Sequence, residues 1–252
     1  MKIFKRSVLA LLALSLIFTC GCRTSGKRVL RVGTSADTPP FTYYNNYGIP
    51  TGFDIKLMNA LTKDMDYYKV EFVTMRFEEL IEALEMGKVD CVISAMTVNE
   101  ERKKFVSFSD VYYTSTQTVL ARADGKVKKL ESADEMKRLD VGVVEDSMAD
   151  KFVTATVTKG KVVRRNSPYL AVNEVITGRC DLAVLETVSA GYYLENYSTY
   201  LVQVEGEVFD KKPFAIAVKK DNDELLQKFN DALAAYKASG ELQTLVEENL
   251  IK

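Results

Sequence analysis

Short apolar runs alternate with amphipathic helical patterns along the chain from Val29 onward. In one helical pattern, with Asp54 as a plausible N-cap, Ile55, Met58 and Leu61 recur at the spacing that places apolar side chains on one helix face. The predicted strands, each a short apolar run, are residues 30–33, 70–73, 90–96, 140–144, 181–185 and 213–218. This alternation is typical of βα units around a mostly parallel sheet. The sequence therefore predicts an α/β fold with mixed, mostly parallel sheets flanked by helices.

Length and composition exclude several classes of function. A chain of 252 residues with 47% apolar residues can build real hydrophobic cores in one large or two moderate domains. Its formal net charge of -1 and the lack of a basic block argue against nucleic acid as a partner. The absence of histidine excludes Ser-His-Asp and Cys-His nucleophile systems and imidazole metal sites. We therefore expect no cofactor, no metal site and no catalytic residues.

Residues 1–21 are predicted to be a secretory signal peptide. Lys2, Lys5 and Arg6 give a positive start, and residues 7–18 form an apolar run that is too short to span a bilayer. Such a leader places the mature chain outside the cytoplasm.

The predicted leader is followed by Cys22, which comes directly after Gly21. A small residue before a cysteine resembles a bacterial lipoprotein signal, in which the cysteine receives the lipid and becomes the first residue. We therefore predict lipidation of Cys22 and a lipidated tether over residues 22–28, with Cys20 as the second candidate. An ordinary cleaved leader is the alternative. More than one acyl chain would anchor the protein stably to the cell membrane.

The other two cysteines, Cys91 and Cys180, each lie in an apolar run at a predicted strand. An exported protein can form a disulfide, but these two strands belong to separate βα sets. We therefore interpret both as small buried hydrophobic residues.

One short pattern occurs twice. Residues 87–90 and 178–181 each combine a glycine, a basic residue and an aspartate before an apolar strand. Ligands of parallel sheets bind beyond the carboxyl ends of strands. Following both strands outward leads to residues 94–97 and 185–187, where we look for a binding site.

Arg102 is the first candidate ligand-binding residue. Asn99 can cap a helix, and Arg102 would then lie at the third helical position, beside backbone N–H groups that favour an anion. A bound carboxylate would offset the unfavourable position of a cation in a first helical turn. The alternative is a surface arginine paired with a neighbouring glutamate, and the local sequence favours neither.

Glu186 and Phe77 each have two interpretations. Glu186 ends an apolar run and either accepts hydrogen bonds from a ligand ammonium or caps the helix that starts near Thr187. Its spacing favours the cap. Phe77 belongs to an apolar stripe at helical spacing, which favours a position in the core.

Several short motifs come one after another in a specific order. They are residues 30–34 (LRVGT), 39–41 (PPF), 52–54 (GFD), 87–90 (GKVD), 96–97 (MT), 101–104 (ERKK) and 108–110 (FSD). This order resembles that of family 3 bacterial solute-binding proteins, which serve polar amino acid ABC transporters. The resemblance covers roughly the whole mature chain.

The resemblance implies a two-lobed clamshell, the fold of periplasmic binding proteins. Lobe 1 would comprise residues 29–111 and 214–252, and lobe 2 residues 117–208. The chain would cross between the lobes at residues 112–116 and 209–213, which form a two-segment hinge.

The resemblance also implies ligand-binding roles in lobe 1. Arg102 matches the arginine that binds the ligand α-carboxylate, and Thr97 matches a threonine that assists through its hydroxyl. Ser94 and Ala95 match positions whose backbone lines the site. Phe77 matches an aromatic residue that packs on the ligand side chain.

In lobe 2, the resemblance gives Glu186 and Ser147 a role. Glu186 matches an acidic residue, usually aspartate, that holds the α-ammonium. Ser147 lies in the turn that meets the carboxylate from the other side. The resemblance thus assigns the two ends of the ligand to opposite lobes.

The sequence departs from the family pattern around the ligand side chain. Thr38 stands where many members place an aromatic residue, and Ser35 stands where some place a selective aspartate. Asp146 replaces a common glycine, and Met148 replaces a small or hydroxylated residue. The headgroup site is therefore better preserved than the side-chain pocket. Unassigned candidates for that pocket are Asp37, Tyr43, Tyr44 and Tyr47.

The resemblance implies an extracytoplasmic binding protein of an ABC importer, facing the periplasm in a bacterium with two membranes. It would close its lobes on a free, polar amino acid and deliver it to a permease as a monomer. The alternative is a periplasmic enzyme of the cyclohexadienyl dehydratase type on the same fold. In that enzyme Glu186 would be a general acid.

Overall fold

The computed structural model describes residues 28–65, 68–206, 209 and 211–250. The predicted signal peptide, the lipidation site Cys22 and the tether up to residue 27 lie outside this range. Within it, none of the helices combines the length and the apolar character needed to cross a membrane.

The strands are β1 (Arg28–Thr34), β2 (Asp37–Thr38), β3 (Thr42–Tyr44), β4 (Pro50–Thr51), β5 (Tyr68–Thr74), β6 (Cys91–Val92), β7 (Val106–Phe108), β8 (Tyr113–Ser115), β9 (Gln117–Arg122), β10 (Val141–Val144), β11 (Val162–Arg165), β12 (Leu182–Glu186), β13 (Leu201–Gln203), β14 (Lys212–Phe214) and β15 (Ala217–Lys219). The α-helices are α1 (Phe53–Thr62), α2 (Leu80–Glu85), α3 (Met148–Thr156), α4 (Pro168–Ile176), α5 (Thr187–Tyr197), α6 (Asp223–Ala238) and α7 (Glu241–Leu250). Short 3-10 turns occur at Phe77–Glu79, Arg102–Lys104 and Ala133–Arg138.

The first sheet has the strand order β5-β1-β6-β15-β7. β1 runs parallel to β5 and β6, whereas β15 runs antiparallel to β6 and β7. Helices α1, α6 and α7 pack on one face around the fully buried Phe53, Met58 and Phe229, and α2 covers the other face. We call this sheet with these helices the first lobe.

The second sheet has the order β11-β10-β12-β9-β13. β10 pairs in parallel with β11 and β12, and β9 is antiparallel to β12 and β13. Separate apolar clusters around Val143 and around Val172 cover its two faces, where α3, α4 and α5 pack. We call this sheet with these helices the second lobe. The predicted α/β class with mixed sheets matches both lobes.

A ribbon of two antiparallel strands, β8 and β14, connects the lobes, with Lys212 opposite Ser115 and Phe214 opposite Tyr113. After β14 the chain returns to the first sheet as β15. The hinge assignment to residues 112–116 and 209–213 stays a prediction.

Two of the predicted strands were wrong in extent. The run 213–218 is not one strand, because its first part pairs with β8 and its second part with β6 and β7. The run 90–96 forms a strand only at Cys91–Val92, and Ala95 already has a left-handed backbone with φ 47°. In both runs, the part outside the first sheet is the part nearer the second lobe.

The two cysteines have the predicted environment. Cys91 and Cys180 are free and buried, and each belongs to the core of a different lobe.

Gly52 directly precedes α1 and has φ 116° and ψ -178°, a region that is essentially restricted to glycine. A Cβ atom there would lie 2.4 Å from the carbonyl oxygen of Phe41. Gly52 is therefore the N-cap of α1, where the sequence suggested Asp54. Asp54 instead lies inside the first turn, fully buried.

We expect Gly52→Ala to lower the free energy of unfolding by about 2–4 kcal/mol, because it adds a backbone clash to an unfavourable dihedral angle. Gly48→Ala is the matched control, since Gly48 has φ 71° and a Cβ atom added there would meet no heavy atom within 4 Å. It should cost only about 1–2 kcal/mol. Denaturant unfolding measures both, and equal losses would contradict the clash.

Candidate ligand-binding site

A cavity of about 680 Å³, including its open mouth, lies between the lobes where β6, β10 and β12 end. The structure brings together around it all eight residues that the family resemblance singled out: Arg102, Glu186, Thr97, Phe77, Ser94, Ala95, Ser147 and Thr38. Their roles in binding a ligand stay predictions. The position agrees with the expectation that the two repeated strand motifs lead to one site.

Arg102 is buried, with 6% of its surface exposed. Its Nη1 donates to the Thr97 carbonyl at 2.9 Å, and its Nη2 donates across the cleft to the Asp146 carbonyl at 2.8 Å. Its guanidinium carbon lies 5.1 Å from the centre of the Phe77 ring. Within the described residues no carboxylate forms an ion pair with Arg102. The alternative of a surface arginine paired with a glutamate is therefore wrong.

Burial disfavours the charged form of Arg102 and lowers its pKa from 12.5 to about 10, against the opposing negative charges of Asp146 and Glu101. The group still carries a full positive charge at neutral pH. An anion entering the cavity would compensate this charge.

The local structure around Arg102 differs from the expected helix. The Asn99 side chain accepts a hydrogen bond from the Arg102 N–H at 2.8 Å, as a cap would. The helical segment after it is only a 3-10 turn of three residues, because the chain enters β7 at Val106. Arg102 is the first residue of that turn and not the third residue of an α-helix. Anion attraction here therefore depends on the guanidinium rather than on a helix dipole.

Buried polar groups form hydrogen bonds to the loop of Ser94 and Ala95. Ala95 donates its N–H to Asp54 Oδ2 at 2.6 Å. The Ser94 hydroxyl accepts from the Ser35 N–H at 3.0 Å and lies 2.9 Å from the Ser35 hydroxyl. These bonds keep Ala95 in its left-handed conformation, with its backbone at the cavity wall.

Asp54 is a supporting residue that the sequence did not reveal, because its local position suggested only a helix cap. Burial raises its pKa to about 7. Its Oδ1 and the hydroxyl of Tyr112 are both buried without a geometrically good hydrogen bond. The signal that could have found it is the GFD motif, which places an acidic residue one position after a buried phenylalanine.

Glu186 performs the predicted cap and also lines the cavity. Its Oε2 accepts from the Ser189 N–H at 2.8 Å at the start of α5, and its Oε1 accepts a hydrogen bond from the Ser115 hydroxyl. Burial raises its pKa from 4.5 to about 7, against the opposing effect of the backbone N–H groups. Glu186 therefore changes charge near neutral pH.

The second lobe meets Arg102 through the turn before α3. Asp146 has a left-handed φ of 57°, which directs its carbonyl to the guanidinium. Ser147 caps α3 by accepting from the Asp150 N–H at 3.1 Å. The departures Asp146 and Met148 thus lie at the contact between the lobes.

Further contacts join the lobes at the rim. Lys151 bonds to Glu101, Asn99 Nδ2 lies 3.3 Å from Met148 Sδ, and the Tyr43 ring lies 6.5 Å from a ring on α5, that of Tyr192. The cleft is therefore in a closed arrangement.

Side chains near the lobe crossing also line the cavity, and the sequence did not single them out. They are Ser115, Thr116, Gln117 and Lys212. Strands that cross between two lobes necessarily pass the cleft, which is the signal that could have found them.

The four unassigned pocket candidates do not line this cavity. Asp37 and Tyr44 line an adjoining one, Tyr43 contacts the second lobe, and Tyr47 is 88% exposed at a hairpin tip.

Residues 30–251 match the model of bacterial extracellular solute-binding proteins, family 3. The chain belongs to this family. An arginine-binding extracellular protein of Bacillus subtilis is 36% identical over 251 residues, which cover 96% of each chain. The family and the extracytoplasmic location predicted from the sequence are confirmed.

Solved structures agree with the family. An ancestral arginine-binding protein bound to arginine has a TM-score of 0.83 and 36% identity, covering 88% of this chain and 99% of that one. The ancestral amino acid-binding protein AncCDT-1, a precursor of cyclohexadienyl dehydratase, has a TM-score of 0.81 and 35% identity, covering 88% and 95%. The predicted two-lobed fold of this family 3 protein is therefore confirmed.

We expect Glu186→Gln to stabilise the ligand-free family 3 protein near neutral pH. The raised pKa means that the folded state holds the Glu186 proton more tightly than the unfolded chain. This contribution to stability is present below pH 4.5, the ordinary pKa, and is lost as the pH rises to about 7. The free energy of unfolding of the wild type should fall relative to that of the variant by on the order of 2 kcal/mol across this pH window. Denaturant unfolding at several pH values measures it.

Asp54 titrates in both proteins, and the charge of Glu186 helps to raise its pKa, so the difference between the two proteins reports on Glu186 together with its coupling to Asp54. Glu131→Gln is the control, because Glu131 is an exposed carboxylate paired with Lys129. Parallel curves for wild type and Glu186→Gln would contradict the raised pKa.

Proposed function

We propose that this protein holds a free amino acid as a zwitterion between Arg102 of the first lobe and Glu186 of the second, and delivers it to an ABC permease. One observation supports this most directly. A buried guanidinium that forms no ion pair within the described residues and a partly buried carboxyl group with a pKa of about 7 line one cavity from opposite lobes.

Arg102 has the free donors that a carboxylate needs. A guanidinium has five N–H donors, and only two of them are used by the carbonyls of Thr97 and Asp146. The remaining donors can grip the two oxygens of a ligand α-carboxylate. The Thr97 and Ser147 hydroxyls would assist from the two sides of the cleft.

Glu186 would receive the ligand ammonium. In its ionised form the carboxylate attracts the ammonium, and this attraction in turn favours ionisation. Because the ligand supplies the counter-charge, the two buried charges of the site become compensated together. A solute with only one of these charges would leave the other uncompensated, which selects for α-amino acids.

Closure would follow from this division between the lobes. Only the closed state brings Arg102 and Glu186 to one ligand, so the ligand shifts the population toward closure. The bending would occur at the proposed hinge, residues 112–116 and 209–213, between lobe 1 (29–111 and 214–252) and lobe 2 (117–208). The ribbon of β8 and β14 supports this assignment.

The ligand class is a free, polar amino acid. Curated relatives include proteins named for arginine, as in Pseudomonas aeruginosa at 32% identity, and ancestral structures contain arginine or glutamine. These amino acids are therefore the first to test.

The proposed partner is the importer permease, and the proposed state is a monomer held at the membrane by a lipid on Cys22. The leader pattern and the Gly21-Cys22 pair support the anchor. Fractionation of cells that express the Cys22→Ala variant tests the anchor, because loss of the lipid should release the protein from the membrane fraction.

The second candidate function is a dehydratase. It is favoured by the raised pKa of Glu186 in the cleft, which suits a general acid, and by the similarity to a dehydratase precursor. We propose binding without catalysis, because Glu186 is used by the ligand ammonium and the sequence has no histidine to act as a second catalytic group. Incubation with prephenate or arogenate should yield no product, and steady turnover would overturn this choice.

We expect Arg102→Ala to abolish amino acid binding measured by calorimetry. The α-carboxylate would lose its partner in a desolvated site, a loss of about 3–5 kcal/mol, or several hundredfold in affinity. Arg122→Ala is the control, since Arg122 pairs with Asp124 and does not line the main cavity. Thermal unfolding verifies that the variants fold, and unchanged affinity of Arg102→Ala would reject the proposed function.

A further inference from the structure

A second cavity adjoins the main one beyond Thr38. Thr38 and Pro168 line the main cavity, and their chain neighbours Asp37 and Ser167 line the second one. The two cavities therefore meet at neighbouring residues of β2 and at the start of α4. Thr38 has a small side chain, which fills less of the space at this boundary than a large one would.

Asp37 is the carboxylate of this second cavity. Its Oδ1 accepts a hydrogen bond from the Thr38 hydroxyl at 3.0 Å, and the Ser35 hydroxyl also stabilises its ionised form. Ser35 is itself hydrogen-bonded to Ser94, which lines the main cavity. A chain of hydroxyl groups thus connects Asp37 to the wall of the main cavity.

Asp37 has no cationic partner within the described part of the chain. Burial raises its pKa, and the negative charge of Glu78 acts in the same direction. Arg76 lies on the same wall, but it pairs with Glu78 and Glu79 at 3.1 and 2.8 Å. A half-buried carboxylate without a cation, next to a site that holds a zwitterion, favours the approach of a positive charge.

We propose that Asp37 is a specificity-determining residue that selects amino acids with a cationic end on the side chain, a guanidinium or a primary ammonium. This inference rests on the proposed function. With the headgroup between Arg102 and Glu186, a long side chain passes between Phe77 and Thr38. Its end reaches the hydroxyls of Ser35 and Thr38, which a cationic donor can replace as partners of the Asp37 carboxylate.

Arginine and citrulline provide the sharpest test, because they have nearly the same shape and differ in the charge of the side-chain end. We expect calorimetry to show that wild type prefers arginine over citrulline by about tenfold or more, the size of a charge-assisted hydrogen bond. Asp37→Asn keeps the size and the acceptor for Thr38. It should remove most of this preference, mainly by weakening the binding of arginine.

Two matched variants localise the effect. Glu131→Gln removes an exposed carboxylate that pairs with Lys129 and should leave the arginine-to-citrulline ratio unchanged. Asp134→Asn removes an exposed carboxylate that pairs with Lys137 and should also leave it unchanged. Loss of the ratio in either control but not in Asp37→Asn would overturn the assignment.

The outcomes separate this inference from the proposed function. If wild type binds glutamine or citrulline as well as arginine, and binding still requires Arg102, the specificity proposal is wrong and the proposed function stands. If no amino acid binds, the proposed function itself fails. A preference for arginine that persists in Asp37→Asn likewise rejects the role of Asp37.

Discussion

The burial of Arg102 is the constraint on which the cleft depends. Its guanidinium bonds to the Thr97 carbonyl in its own lobe and to the Asp146 carbonyl in the other lobe. The two carbonyls satisfy donors without forming an ion pair with the guanidinium. One side chain therefore joins the lobes, and in the proposed function it also binds the anionic group of the ligand.

The backbone around the cavity is strained at two positions. Ala95 and Asp146 both have left-handed φ angles, which are unfavourable for residues other than glycine. Asp54 holds the first of them through its hydrogen bond to the Ala95 N–H, and Arg102 holds the second. Strained backbone at the site is thus stabilised by buried ionisable groups that bond directly to it.

The cleft has different chemistry at its two ends. Arg102 and Glu186 come from opposite lobes, and in the proposed function they bind the headgroup of the ligand. Asp37 lies next to Thr38 in the first lobe, and in the further inference it selects the side chain. If both proposals hold, closure of the lobes and choice of the ligand depend on different charges.

The sequence by itself determined the βα order, the buried state of the two free cysteines and, through the family resemblance, eight of the residues around the cleft, because periodicity and motif order can be recognised without tertiary contacts. Only the tertiary structure decided that residues 213–218 divide between two sheets and that a 3-10 turn carries Arg102. It also decided that Asp54 supports Ala95, 41 positions away. These features depend on contacts between distant segments, whose hydrogen bonds and desolvation override local propensity.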